Sequence, residues 1–194
     1  MKDINEQITH ELLEKERNDP EFRDAIIDRQ VEALEYFDPW IMGDVFEIGC
    51  RHGIMLQMLE KLPRVENTFG IDLSKEAIDI LKSKELNGEV QLAETLIESP
   101  YLYGLFHTVV CLHTLEHCTD IPKVIAGIWE VLKPGCGHAL IEIPLQPKEP
   151  TPTVWGHNYC FETEQELIDM FEGFTHVRTF RKEKHTWRRF VFKK

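Results

Sequence analysis

The chain has 194 residues, 42% hydrophobic and 29% charged, with a formal net charge of −12. That length suits one domain burying roughly 70% of its unfolded surface, and no apolar run reaches the roughly 18 residues that span a bilayer. An acidic body also disfavours long nucleic acid, whose affinity rests on phosphate contacts.

The opening residues, Met1 to Gln7, carry no apolar signal core, so export is not expected. Five cysteines, at positions 50, 111, 118, 136 and 160, form no Cys-x-x-Cys pair and read as reduced thiols of a cytoplasmic protein. Residues 178–194 hold eight Lys or Arg against one Glu, a local +7 that takes the remainder from −12 to −19. That basic tail reads as two solvated strand faces.

Residues 1–43 are polar and helical in texture, broken at Asp19-Pro20, where an N-cap acid precedes a proline at the first helical position. Phe22, Ile26, Leu34 and Phe37 then fall broadly at helical spacing. This reads as an N-terminal helical cap (1–43) on one globular unit (44–194), either shaping the ligand pocket or simply packing.

Next comes Val45-Phe46-Glu47-Ile48-Gly49-Cys50-Arg51-His52-Gly53 and the helical run from Ile54. An apolar strand ending in an acid, then two glycines four apart, then a helix is a ligand cradle: glycine lets the backbone bend and approach a bound molecule, and the free N–H groups of the helix offer donors. Asp72 closes a second apolar strand 23 residues after Gly49, the distance of a ribose-binding acid. A dinucleotide is disfavoured, because Arg51 and Ile54 stand where that fingerprint wants glycine and Glu47 would repel a pyrophosphate. Glu47 would instead attract an ammonium. A nucleoside joined to an amino acid is S-adenosylmethionine.

Ser74 caps a helix carrying Ala77, Ile78 and Leu81, ending near Asn87-Gly88. Val90 to Ala93 reads as a third strand with Glu94 immediately after it, and Phe106 to Leu112 as a fourth, followed by His113-Thr114-Leu115-Glu116-His117. Thr119-Asp120 and Pro122 open a helix that Lys133-Pro134-Gly135 stops, and His138 to Pro144 is the fifth strand. The link from Gln146 to Tyr159 is irregular and then aromatic, a pattern that is usually functional. Thr163 to Glu166 forms a capping box opening a last helix that Gly173 ends, and strands 177–182 and 186–192 finish the chain. The expected fold is α/β: Rossmann-like, doubly wound, with a mostly parallel seven-stranded sheet, helices on both faces and a C-terminal antiparallel hairpin. Glu47, Asp72, Glu94 and His113 then share the carboxyl ends of the strands, where ligands bind.

The Glu47 to Gly53 stretch resembles the first motif of the class I S-adenosylmethionine-dependent methyltransferases, acid-x-Gly-x-Gly-x-Gly. The block of strand, Leu115-Glu116-His117, helix, Leu132-Lys133-Pro134-Gly135 and strand is similar to the same family, over roughly residues 40–192. Arg51 departs from the middle glycine, and His107 stands where the family usually has Asp, with a structural consequence expected. The resemblance implies S-adenosylmethionine as cofactor, bound by Glu47, Gly49, Cys50, Arg51, Gly53, Asp72, Leu73, Glu94, Leu112 and His113, with Glu94 accepting from the adenine amino group.

Methyl transfer mainly requires alignment of donor and acceptor, with a base only where the acceptor must lose a proton. His113, His117 and His157 are the candidates. A metal on His113, His117 and Cys118 is set aside, because Asp120-Ile121-Pro122 places a loop there, and no metal is expected. Trp155, His157, Asn158 and Tyr159 would line a site for a small acceptor methylated at O, N or C. The alternative is a non-catalytic domain that keeps the fold for binding or assembly, which would have no need of the acids.

Overall fold

The computed structural model describes residues 4–153, 156–182 and 185–194, with side chains from residue 10 onward. The helices are α1 (Ile4–Asn18), α2 (Pro20–Phe37), α3 (Ile54–Leu59), α4 (Lys75–Ser83), α5 (Ile121–Val131) and α6 (Glu164–Met170). The strands are β1 (Gly43–Ile48), β2 (Val65–Asp72), β3 (Gly88–Val90), β4 (Thr108–Leu112), β5 (His138–Pro144), β6 (Thr175–Arg181) and β7 (Trp187–Lys193). They form one seven-stranded sheet in the order β3-β2-β1-β4-β5-β7-β6. The first five strands pair in parallel, and β7 runs antiparallel to β5 and β6.

Two apolar clusters sandwich the sheet. Phe46, Val109, Cys111, Ala139 and Ile141 pack with α5 and α6, whereas Val45, Val110, Leu140 and Val191 pack with α2, α3 and α4. Strand residues two apart share a face. Glu47, Glu142 and Arg189 therefore lie on the side of Val45, Leu140 and Val191, under α2. Four of the helices, α2, α4, α5 and α6, start at a side-chain cap. Asp19, Ser74 and Asp120 accept from the N–H groups of Phe22, Ala77 and Lys123 at 3.0, 3.2 and 3.2 Å, contacts worth about 1 kcal/mol each. At α6, Thr163 Oγ1 accepts from Glu166 N–H, but the Glu166 carboxylate takes the N–H of Glu162, one residue upstream of the expected box.

Two local readings change and a third holds. The third strand stops at Val90, because its ladder to β2 ends at Asp72, and residues 93–98 wind into a 3₁₀ helix that carries Glu94. The basic tail is solvated only in part: β6 is the sheet edge and mostly exposed, while β7 lies between β5 and β6, so Arg189 is buried. His107 is structural, as expected. Its Nδ1 accepts from the Asp44 N–H at 3.0 Å, and its ring fills the space over Gly43, where a Cβ would come within 2.2 Å.

Candidate active site

The turn after β1 is fastened to the end of β2. Gly49 and Cys50 N–H groups donate to the Ile71 carbonyl at 2.9 and 3.0 Å. Asp72 accepts from Arg51 N–H at 2.9 Å and from Ser74 N–H at 2.8 Å, one on each carboxylate oxygen. Gly49 and Gly53 sit at φ +74° and +82°, and a Cβ on Gly49 would lie 2.2 Å from Thr114 Oγ1. The first glycine is thus required by the loop after β4, which crosses the turn. Cys50 is buried, and burial first, then Glu47 and Asp72, raise its thiol well above the usual range.

Glu47 is buried, and its Oε2 has no hydrogen-bond partner. Burial and then the neighbouring Asp72 push its carboxyl well above the ordinary value. Burial raises Asp72 as well, despite its two N–H donors and the Arg51 charge. Two buried acids and an orphaned oxygen fit a ligand that brings its own cation. Arg51 does not neutralise them fully: its guanidinium turns to Glu16 on α1, with Nη1 and Nη2 each 3.0 Å from a carboxylate oxygen. Leu73 and Leu112 are half-buried at the ends of β2 and β4. Glu94 is buried, its Oε1 holding the Thr119 N–H at 2.7 Å and hydroxyl at 3.1 Å.

Beyond β4 the acids are paired. His113, at φ +49°, sets Nδ1 3.1 Å from Glu116 Oε1 and Nε2 3.0 Å from Glu142 Oε1, the second contact an ion pair off line for a hydrogen bond. Carboxylates only accept, so a ring with both nitrogens against them is favoured as the imidazolium. Burial works against that charge, but Glu116 and Glu142 outweigh it and raise His113. Glu116 and Glu142 are held below the ordinary range in turn: burial opposes this, and His113 overcomes it in both, joined by Arg189 and Arg29 at Glu142. Arg189 donates from Nε to Glu142 and from Nη2 to Glu32 at 3.0 Å, stitching α2 to the sheet.

The link after β5 folds back on this loop. Asn158 and Tyr159 N–H groups donate to the Glu116 carbonyl at 2.7 and 3.0 Å, and Asn158 Nδ2 donates to the His117 carbonyl at 2.6 Å. Tyr159 donates its hydroxyl to Glu166 on α6 at 2.6 Å. His117 Nδ1 donates to the Gly156 carbonyl at 3.1 Å, His157 Nδ1 lies 3.0 Å from Gln146 Oε1, and the two rings meet edge to face at 4.9 Å. Of His113, His117 and Cys118, the set weighed for a metal, Cys118 donates to the Thr114 carbonyl. Among the described residues it is Glu116, His117 and His157 whose ligand atoms come within 4.8 Å of one another. Trp155 lies outside the described residues.

Sequence reasoning missed Glu16, Arg29, Glu142 and Arg189. Glu142 did leave a signal, a charge inside a strand that otherwise reads as buried, whereas Arg189 was lost among the charges of a tail that reads as solvated. Glu16 and Arg29 left none, because on a polar helix they look like solvated surface.

A family model described as a methyltransferase domain matches residues 4–183. The chain belongs to that methyltransferase family. Its cofactor is accordingly S-adenosylmethionine, and the residues around Glu47 fit it. The methyltransferase domain is 30% identical over 113 residues to a ubiquinone biosynthesis O-methyltransferase of Colwellia psychrerythraea, covering 55% of this chain and 44% of that protein. The mitochondrial protein of the same name from Saccharomyces cerevisiae is 29% identical over 98 residues, covering 48% and 31%. The chain thus spans half or less of the length of these curated relatives. Among solved structures it is similar to a SAM-dependent methyltransferase from Archaeoglobus fulgidus, with TM-score 0.69 and 16% identity over 89% of this chain and 94% of that one. It is also similar to the [4+2]-cyclase SpnF, with TM-score 0.71 and 14% identity over 89% and 83%. These likenesses concern the fold, which hosts more than one chemistry. No described helix is long and apolar enough to cross a membrane.

Proposed function

We propose that this domain moves a methyl group from S-adenosylmethionine to an oxygen of a small-molecule acceptor, in the cytoplasm. The observation that carries the reading is the buried pair Glu47 and Asp72 at the strand ends, short of positive charge. A fold kept only for assembly would bear the cost of those acids for nothing. The cofactor, when bound, supplies a methyl already activated by its sulfonium. Glu47 holds the ammonium, Asp72 the ribose hydroxyls beside the N–H groups it already accepts, and Glu94 the adenine amino group through Oε2. Residues 4–43 form the cap over this half. Oxygen is favoured as acceptor because the curated relatives are O-methyltransferases. The five free cysteines, four of them buried, agree with a reducing compartment.

His157 is the proposed base. Burial first lowers its pKa, keeping the ring neutral near pH 7, and Gln146 orients it through Nδ1. His113, clamped as a cation, positions Glu116 instead. The acceptor lies against the ring faces of the link, since Asn158 Nδ2 and the Tyr159 hydroxyl are engaged internally. The convergence of Glu116, His117 and His157 favours a second version, in which a divalent cation on these three lowers the acceptor hydroxyl's pKa. Calorimetric titration tests the main reading: heat with S-adenosylmethionine and none with NAD is expected, and the reverse overturns it. Co²⁺ binding with a d–d spectrum that His157→Ala abolishes would favour the metal version.

A further inference from the structure

α1 is held to the body by charge more than by apolar packing. Of its described side chains only Leu13 and Glu16 are buried. His10 and Arg17 reach Glu76 on α4 at 2.7 and 3.4 Å, and Glu16 takes the Arg51 guanidinium in a two-toothed pair. The same carboxylate lies 3.3 Å from His52 Nε2, and Lys84 Nζ donates to the His52 carbonyl at 2.8 Å. Arg51 itself sits at φ +49°, a conformation glycine adopts without strain, so the position gains a guanidinium and loses backbone ease.

An α-amino acid carries ammonium and carboxylate on one carbon. If Glu47 meets the ammonium, the carboxylate falls beside the same turn, and Arg51 is the permanent cation of that turn. His52 is not a rival: burial first, then Lys84, Arg51 and Arg17, hold its pKa down to about 4. An arginine fork grips one carboxylate with two parallel bonds. A second carboxylate added beside Glu16, Glu47 and Asp72 would be repelled. Burial already disfavours the Glu16 charge, raising its carboxyl even with Arg51 in place.

We infer that Glu16 occupies Arg51 as an internal substitute for the cofactor's α-carboxylate, and that cofactor entry exchanges one carboxylate for the other and releases α1. The inference rests on S-adenosylmethionine binding at Glu47, as proposed above. α1 is then a charge-latched cover that resists binding until an anion displaces it.

The test compares S-adenosylmethionine with its decarboxylated form, which keeps the sulfonium and ammonium but lacks the anion, by calorimetry on the full chain. Glu16→Gln should tighten the first ligand about threefold to tenfold and leave the second unchanged. Arg51→Gly should remove the preference for the first over the second. Hydrogen exchange of the wild-type chain over residues 4–18 should speed up with S-adenosylmethionine and not with the decarboxylated ligand, a readout that stands even if Glu16→Gln does not fold. Equal gains for both ligands in Glu16→Gln, or protection of α1 on binding, would overturn the exchange. Absence of binding by either ligand to the wild-type chain would instead remove the cofactor reading beneath it.

Discussion

The two halves of the strand-end edge carry buried carboxylic acids at the same depth with opposite electrostatics. At β1 and β2, Glu47 and Asp72 are 3% and 6% exposed and their carboxyls are pushed up. At the β4 loop and β5, Glu116 and Glu142 are 1% and 0% exposed and theirs are held down. Depth therefore does not separate the halves. Company does: His113, Arg189 and Arg29 surround the second pair, while Arg51, the cation nearest the first, is turned toward Glu16. A buried acid with internal partners is a structural member, and one without them is a candidate site for a cation brought by a ligand.

The largest expected effect comes from breaking the paired half. Glu142→Ala takes from the buried His113 and Arg189 the anion they share, leaving them Glu116 and Glu32 alone, and should cost about 3–5 kcal/mol of unfolding free energy. Chemical denaturation measures this, and the same experiment on Glu47→Gln should show no loss or a gain, because that change removes an uncompensated charge. Equal losses in the two variants would erase the contrast.

The pH dependence of stability should differ in sign between the halves. His52 in the folded chain titrates near 4, below its ordinary 6.5. The unfolded chain then takes the proton first, so stability falls as pH drops from 6.5 towards 4, by up to about 3 kcal/mol. His113 is raised, so its contribution is full below its ordinary value and is lost as pH climbs through the folded one. Denaturation midpoints across pH for His52→Gln and His113→Gln should flatten the acid and the alkaline limb respectively.

A smaller effect belongs to the ligand. Asp72→Ala should weaken S-adenosylmethionine binding by about 1.5–3 kcal/mol, the range for hydrogen bonds to a charged group, as read by calorimetry on folded protein. The smallest should be His157→Ala in the other half, which should leave cofactor affinity within about 0.5 kcal/mol while turnover on an identified acceptor collapses. A large affinity loss there would place the cofactor across both halves.

The sheet and its ligand edge were legible in the chain because their signals are local. A buried parallel strand is a run of apolar residues, a turn at positive φ asks for glycine at 49 and 53, and Asp19, Ser74 and Asp120 announce the helices they cap. Strand order, apart from the expected hairpin, and the early end of the third strand depend on which neighbour supplies the hydrogen bonds, so no window of sequence holds them. The same reason hid the partners of the buried charges. Glu142 and Arg189 are 47 residues apart, and Arg51 and Glu16 are 35 apart. The sequence by itself determined that acids stand at the strand ends. Only the tertiary structure decided which of them meet a cation inside the protein, because Coulomb pairing acts over a few ångströms of space, whatever the separation along the chain.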